Sequence, residues 1–374
     1  MPELQLLIVF AVAWVGHAYL WTSLLSNLFG RALPKPFLKA WRLLTAFAIV
    51  GFPLLLREHE TAEVWWYVWP CVVAGGVIFP AITVARLLRK QPACVVSEST
   101  VTRDLWPELG RKLIGDGNLS FVARLPGNEL FRVDFTDVTL ALPELPPEWE
   151  GLTVLVVSDL HFHGTPARPF FDRVIDELLA GPKPDLVCLI GDYVDTDTHR
   201  TWIPPVLGRL QATEAKFAIL GNHDRHHHPT QVRDALTAAG YTVCGNSWQV
   251  VPIRGVSCVV AGHEGPWFAP PPPDLSGAPP GLFRLCLSHT PDNFYWGVRN
   301  RIGLMLCGHV HGGAIRVPVI GSIFVPSVYG RRFDYGIFEK LKTVMVVNRG
   351  LSGKEPIRIR CNPQVMRVKL VRPQ

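Results

Sequence analysis

The sequence predicts an α/β domain preceded by an N-terminal helical transmembrane region. Two observations carry that expectation. Of the 374 residues, 48% are hydrophobic and 18% charged, and the apolar excess lies in the first ninety. Beyond residue 150, five short apolar runs each end in a polar cluster, with helical periodicity between neighbouring runs, a β-α-β rhythm.

The N-terminal ninety residues read as about three helices, 4–29, 41–56 and 64–88. Leu4 to Phe29 is almost uncharged, and Val64 to Leu88 is a second long apolar stretch opened by Trp65, Trp66, Tyr67 and Trp69. About 20 apolar residues cross the hydrocarbon core, so both qualify as spans. Leu43 to Leu56 is shorter. It spans with help from Trp41 and its neighbours, or lies re-entrant or interfacial. The first segment lacks the basic start and the cleavage pattern of a secretory signal peptide.

Charge chooses the orientation. Arg31, Lys35, Lys39 and Arg42 follow the first segment, and Arg86, Arg89 and Lys90 follow the third. The loop between the second and third sets Arg57 against Glu58, Glu60 and Glu63. The positive-inside rule then puts the basic loops, and the large remainder of the chain, in the cytoplasm, which requires the middle segment to span. Eight scattered cysteines with no CxxC suit the same reducing compartment. The net charge of +6 fits loops on an anionic membrane face. No run of five Lys or Arg and no basic stripe interleaved with aromatics occurs, which argues against a nucleic-acid partner.

Residues 91–149 form a connecting segment. Leu130 to Leu142 alternates in part, as a strand leading into the domain, before Pro143, Pro146 and Pro147 punctuate the chain. In residues 150–374 the runs are Thr153–Val157 into Ser158-Asp159-Leu160-His161, Leu186–Ile190 into Gly191-Asp192-Tyr193-Val194-Asp195, and Phe217–Leu220 into Gly221-Asn222-His223-Asp224. Leu285–Leu287 then runs into Ser288-His289, and Leu304–Cys307 into Gly308-His309-Val310-His311. Near-continuous apolar runs are strands buried on both faces, and ligands gather at the carboxyl ends of such strands. Helices are predicted over Phe170–Leu179 and Gln231–Ala239. Pro266–Pro280, rich in Pro and Gly, reads as an exposed loop.

Hydrolysis of a phosphate ester needs an activated water and neutralisation of developing charge, which two adjacent divalent metals supply. A carboxylate, neutral imidazoles and a carbonyl oxygen form a donor set suited to Mn, Fe or Zn. Asp159, Asp192, Asn222, His161, His289, His309 and His311 provide it. Residues two apart in a strand share a side, so Asp159 with His161, and His309 with His311, are expected to address one centre.

The ordered series DLH, GDYVD, GNHD, SH and GHVH resembles the calcineurin-like metallophosphoesterases over residues 150–374. That resemblance implies a β-sandwich core flanked by helices and a binuclear metal centre. It implies that Asp159, His161 and His311 bind one metal, that Asn222, His289 and His309 bind the other, and that Asp192 bridges them. His223 would stabilise the transition state or protonate the leaving oxygen, with Asp224 orienting its ring. Asp195 is expected as a supporting or turn residue. His163, His199, His263 and the tract His226–His228 are expected as loop or surface residues. Where the family often carries an acidic pair, this chain has Gly262-His263-Glu264.

Two stretches, Tyr329-Gly330-Arg331-Arg332-Phe333-Asp334 and Asn348 to Pro363, resemble the membrane-anchored bacterial members. These include enzymes of phospholipids and of UDP-2,3-diacylglucosamine. The resemblance implies an inner-membrane protein acting on a lipid-linked phosphate ester. Arg331 and Arg332 are expected either to pair with substrate phosphate, as guanidinium groups do bidentately, or to form a solvated basic loop. Trp267 and Phe268 are expected either to meet lipid or to lie in an ordinary exposed loop. Thr196 stands where a protein Ser/Thr phosphatase of this superfamily would carry Arg, which counts against that activity. The spans contain few ionisable groups, His17 being the exception, which disfavours a transporter or sensor.

Overall fold

The computed structural model describes residues 3–56, 62–117, 119–269 and 273–373. Arg57, Glu58 and Glu60, used above for orientation, and part of the Pro-rich stretch lie outside them. The chain divides into two compact units, Met1–Lys90 with Val317–Arg332, and Gln91–Arg316 with Phe333–Gln374.

The first unit holds α1 (Glu3–Phe29), α2 (Lys35–Leu55), α3 (Ala62–Val73) and α4 (Phe79–Leu87), the last two joined by a π-turn over Ala74–Ile78. Pro80 has no N–H for the Gly76 carbonyl and its ring crowds that oxygen, so the helix widens there rather than breaking. Glu3–Phe29, Lys35–Leu55 and Ala62–Leu87 are each long and apolar enough to cross a membrane. The middle helix begins at Lys35, ahead of the expected 41, because Pro36 suits a first helical turn. Its 21 residues rise about 31 Å, enough to span without help from an interfacial stretch.

Small residues and a few polar ones hold the bundle. A Cβ on Gly16 would lie 1.8 Å from the Cys71 carbonyl oxygen, and one on Gly75 would lie 2.2 Å from that of Val12. α1 and the Ala62–Leu87 helix therefore touch backbone to backbone. Pro53 frees the Ile49 carbonyl, which accepts the Trp14 indole N–H at 2.8 Å. The His17 ring meets Tyr67 Oη at 2.8 Å and the Ala48 carbonyl at 3.0 Å, and it stacks on Phe52. His17 thus knits three helices. Gly16→Ala is expected to cost about 1–3 kcal/mol through overpacking. Gly51→Ala, where a Cβ meets nothing within 4 Å, is expected to be neutral. Thermal unfolding of the detergent-purified chain compares the two.

The second unit stacks two sheets. In chain order its strands are β1 (Val95–Asp104), β2 (Arg132–Ala141), β3 (Thr153–Val157), β4 (Leu186–Leu189), β5 (Ala215–Ala218), β6 (Thr242–Val243), β7 (Trp248–Ile253), β8 (Val256–His263), β9 (Arg284–Ser288) and β10 (Leu304–Cys307). Beyond the short β11 (Arg316–Val317), and β12 (Gly321–Ser322), which belongs to the first unit, come β13 (Gly336–Lys340), β14 (Thr343–Val347) and β15 (Gln364–Val371). One sheet runs β1-β2-β15-β3-β4-β5-β6 and the other β13-β14-β10-β9-β8-β7. β3, β4, β5 and β6 are parallel, as are β8, β9, β10 and β14.

Alternation along β3 shows why the runs are continuously apolar. Val154 and Val156 enter a core shared with Leu285, Leu287, Leu304 and Leu306 of the other sheet. Leu155 and Val157 point the other way, onto Phe171, Val174 and Ile175 of the helix Arg168–Ala180. Five strands thus deliver their carboxyl ends to one edge of the sandwich, where the polar motifs follow.

Candidate metal centre

The motif residues leave regular structure as soon as their strands end. β3 stops at Val157 and β10 at Cys307, so the expected same-side alternation of Asp159 with His161, and of His309 with His311, does not operate. Asp159, His161, Asp192, His309 and His311 instead all have left-handed backbone, with φ from 46° to 70°. Such conformations cost about 1–3 kcal/mol each and persist where the surroundings over-determine them. The turns fold each motif back on itself, which is how side chains two apart converge without a strand. Neighbouring glycines make room. A Cβ on Gly221 would lie 2.1 Å from Asp192 Oδ1, and one on Gly308 would lie 2.5 Å from Asp159 Oδ2.

Two clusters result, Asp159 with His161 and His311, and Asp192 with His289 and His309, each with its donor atoms within 4.8 Å of one another. Asp192 links them, its Oδ2 lying 3.6 Å from His161 Nε2 and 3.3 Å from His289 Nε2. The Asn222 side-chain oxygen adds a donor 3.0 Å from His289 Nε2.

Outer partners orient the rings. His161 Nδ1 lies 3.0 Å from Asp195 Oδ2, His289 Nδ1 lies 2.7 Å from the Ile190 carbonyl, and His311 Nδ1 lies 2.9 Å from the Ser352 carbonyl. Each Nδ1–H is thereby directed outward and each Nε2 faces the centre, the arrangement of ligating imidazoles. His161 Nε2 and Asp192 Oδ2 are buried without a hydrogen-bond partner among the described residues. Buried polar atoms left so are costly, and a shared cation answers both. Electrostatics agree. Burial alone would raise the Asp192 carboxyl, yet the facing His289 and His223 rings hold it well below its usual value. Burial would lower His289, but Asp192 pushes it up to about 9. The centre calls for positive charge, and these residues fit divalent metals.

The profile of the family described as calcineurin-like phosphoesterase matches residues 152–313. The chain is 30% identical over 241 residues to the uncharacterized metallophosphoesterase YkuE of Bacillus subtilis, covering 62% of this chain and 84% of that one. It is 32% identical over 227 residues to the phosphodiesterase YaeI of Escherichia coli, covering 58% and 82%. The chain belongs to the calcineurin-like metallophosphoesterases. A bovine transmembrane protein with a metallophosphoesterase domain is 25% identical over 204 residues, or 48% of this chain and 45% of that one. This metallophosphoesterase is therefore a hydrolase of phosphoester bonds with a binuclear divalent metal centre, in a membrane protein.

Within it, two carboxylates exchange the parts expected of them. The His223 Nδ1 pairs with Asp195, which also holds His161. Asp224, expected to orient His223, is wholly buried and accepts backbone N–H groups from Asp192 (2.9 Å), Tyr193 (2.8 Å), Val194 (3.2 Å) and Gly221 (2.9 Å). It staples the GDYVD loop to the GNHD loop. Burial, then the charge of Asp192, raises its pKa to about 7. Spacing in GNHD brings Asp224 beside His223 in sequence, but in the fold Asp224 accepts backbone N–H groups while His223 Nδ1 meets Asp195. Asp224→Asn, which keeps the shape and loses acceptor strength, is expected to destabilise the catalytic unit by about 1–3 kcal/mol, read as a lower Tm.

Other expectations are corrected or given content. Trp267 does not stand in an exposed loop. It is 8% exposed and packs on His309 with ring centroids 4.6 Å apart. Glu264 is buried, accepts the Leu220 N–H at 2.7 Å and pairs with Arg233 at 3.0 Å, so it braces the strand entering GNHD. His163 and His263 are buried, the former 3.2 Å from the Gly353 carbonyl and the latter pulled down to about 4 by burial. His199 meets Thr196, while His227 and His228 sit against Asp197. Arg331 and Arg332 lie in the other unit, where the Arg331 guanidinium donates to the Ile320 and Ser322 carbonyls. No motif marks Arg358, a fully buried guanidinium that donates to the His311 carbonyl at 2.9 Å and also to the Ser352 carbonyl. Its only signal was membership of the Asn348–Pro363 stretch.

Proposed function

We propose that this metallophosphoesterase cleaves a phosphodiester or pyrophosphate bond in a lipid-linked substrate, such as UDP-2,3-diacylglucosamine or a phospholipid. The observation that carries this is the pair of ligand clusters meeting at Asp192 in a chain with three membrane-crossing helices. In this reading Asp159, His161 and His311 hold one metal, Asn222, His289 and His309 hold the other, and Asp192 touches both. Manganese is the first ion to try, with iron and zinc as the other candidates for this donor set. When bound, such ions activate a water and draw charge from the phosphoryl oxygens. His223 protonates the departing oxygen, with Asp195 fixing its ring. Trp267 covers His309 and keeps water from that side.

The purified chain, loaded with Mn²⁺, is expected to hydrolyse bis-p-nitrophenyl phosphate. Offered a panel of phospholipids and nucleotide-linked diacyl lipids in mixed micelles, it is expected to release a headgroup product by mass spectrometry. Turnover of water-soluble diesters only would overturn the lipid part of the proposal and leave the hydrolase.

The same reading places the enzyme at a bacterial inner membrane with its catalytic unit in the cytoplasm. It is supported by the basic residues that follow α1 and α4 and by eight cysteines that are all free and buried. A reporter fused after Gln374 is expected to be active inside the cell. Activity only outside would reverse the topology.

A further inference from the structure

Val317–Arg332 follows the GHVH motif in sequence, yet it packs with the membrane helices. The Asn27 amide donates to the Val328 carbonyl at 3.0 Å, and Phe29 and Phe324 meet edge to face with centroids 5.4 Å apart. Arg86 donates to the Arg331 carbonyl, and the Arg331 guanidinium lies 5.2 Å above the Phe79 ring. A Cβ on Gly30 would lie 2.4 Å from Val328 N, so the segment presses on the helix end itself. Apart from Phe79, which opens α4, these contacts involve the carboxyl ends of α1 and α4, the ends that carry Arg31, Arg86, Arg89 and Lys90.

The segment's composition is unusual for a water-facing loop. VPVIGSIFVPSVYGRR has no acidic residue and closes on two arginines. Val319, in the turn between β11 and β12, is 71% exposed, and Ile323 is 45% exposed. Val319 also has φ 67°, a conformation that a β-branched residue rarely takes. Water gives no return for presenting a strained valine, whereas a hydrocarbon boundary does, at about 25 cal/mol per Å² of apolar surface removed from water.

We propose that Val317–Arg332 is an interfacial element that dips Val319 and Ile323 into the headgroup–acyl boundary of an anionic leaflet. The bilayer is its partner because the segment is built onto the basic end of helices that already cross it. Apolar tip and arginine close together are the combination such a surface selects. The consequence is that the loop carrying His309 and His311 is followed, four residues after Gly313, by a chain segment tied to the membrane.

The test labels Val319→Cys and, separately, Ile323→Cys with an environment-sensitive fluorophore in the full chain reconstituted into phosphatidylcholine/phosphatidylglycerol vesicles. All eight native cysteines are buried, which favours labelling at the new site. Leu179→Cys, on the exposed side of the helix Arg168–Ala180, is the control. Labels at 319 and 323 are expected to shift to the blue and to be quenched by shallow nitroxide lipids, since interfacial residues sit about 5–10 Å into that boundary. Their quenching by aqueous iodide is expected to be several-fold weaker than at 179. Iodide access equal to the control would overturn the proposal. So would shielding from both quenchers, which would mean a protein covers the segment. Neither readout depends on catalysis.

Discussion

Asp192→Asn is expected to lower kcat by about a thousandfold or more and to leave less than a full complement of metal. The argument is local. Asp192 Oδ2 lies 3.6 Å from His161 Nε2 and 3.3 Å from His289 Nε2, and Oδ1 accepts the His223 N–H at 2.8 Å. An amide of the same shape keeps the hydrogen bond from His223 but presents N–H or a neutral oxygen to both clusters. If Asp192 is shared by the two metals, as proposed, each would lose that anion, and the charge stabilisation that a binuclear centre supplies, several kcal/mol, would go with it. About 4 kcal/mol is a factor of roughly a thousand in rate. Removing an outer partner costs only about 10–100-fold, so the size of the loss separates a bridging role from a supporting one. The Tm of the variant and its metal content by elemental analysis complete the measurement. Full activity with two metals bound would sink the two-metal assignment at this residue.

The apolar runs made the strands β3, β4, β5, β9 and β10 legible. Strands buried on both faces have no polar register to disguise them, and Val154 through Val157 divide between two cores as such a run requires. The helices at Arg168–Ala180 and Pro229–Ala238 were legible for the same reason, through the spacing of Phe171, Val174 and Ile175, and of Val232 and Leu236. The candidate ligands could be named because so many acids and imidazoles at the ends of apolar strands are costly to bury without a shared cation. What escaped was geometry set by turns. Left-handed backbone at Asp159 and His309 cannot be read from a motif, so it is turns rather than strand alternation that set where the paired residues point. The exchange between Asp195 and Asp224 escaped similarly, since which carboxylate reaches His223 depends on how two loops cross. The Val317–Arg332 segment escaped because its partners lie some 300 residues away in sequence, in the first unit.

His223→Asn is expected to cost about 10²–10⁴-fold in kcat, the range for a lost proton donor, with metal content unchanged. Its Nδ1 pairs with Asp195, so the ring is held by an outer carboxylate. Asp195→Asn is expected to cost less, about 10–100-fold, because the ring keeps a weaker acceptor. Asp195 also holds His161 Nδ1 at 3.0 Å, so this variant, unlike His223→Asn, is expected to bind metal more weakly at the first cluster. The leaving group supplies the decisive comparison. A p-nitrophenolate departs without needing a proton, whereas an alkoxide must be protonated as the bond breaks. The His223→Asn penalty should therefore be small on bis-p-nitrophenyl phosphate and large on an alkyl diester, while the Asp192→Asn penalty should be large on both. An equal penalty for His223→Asn on the two substrates would remove the proton-donor role and leave His223 as a stabiliser of phosphoryl charge.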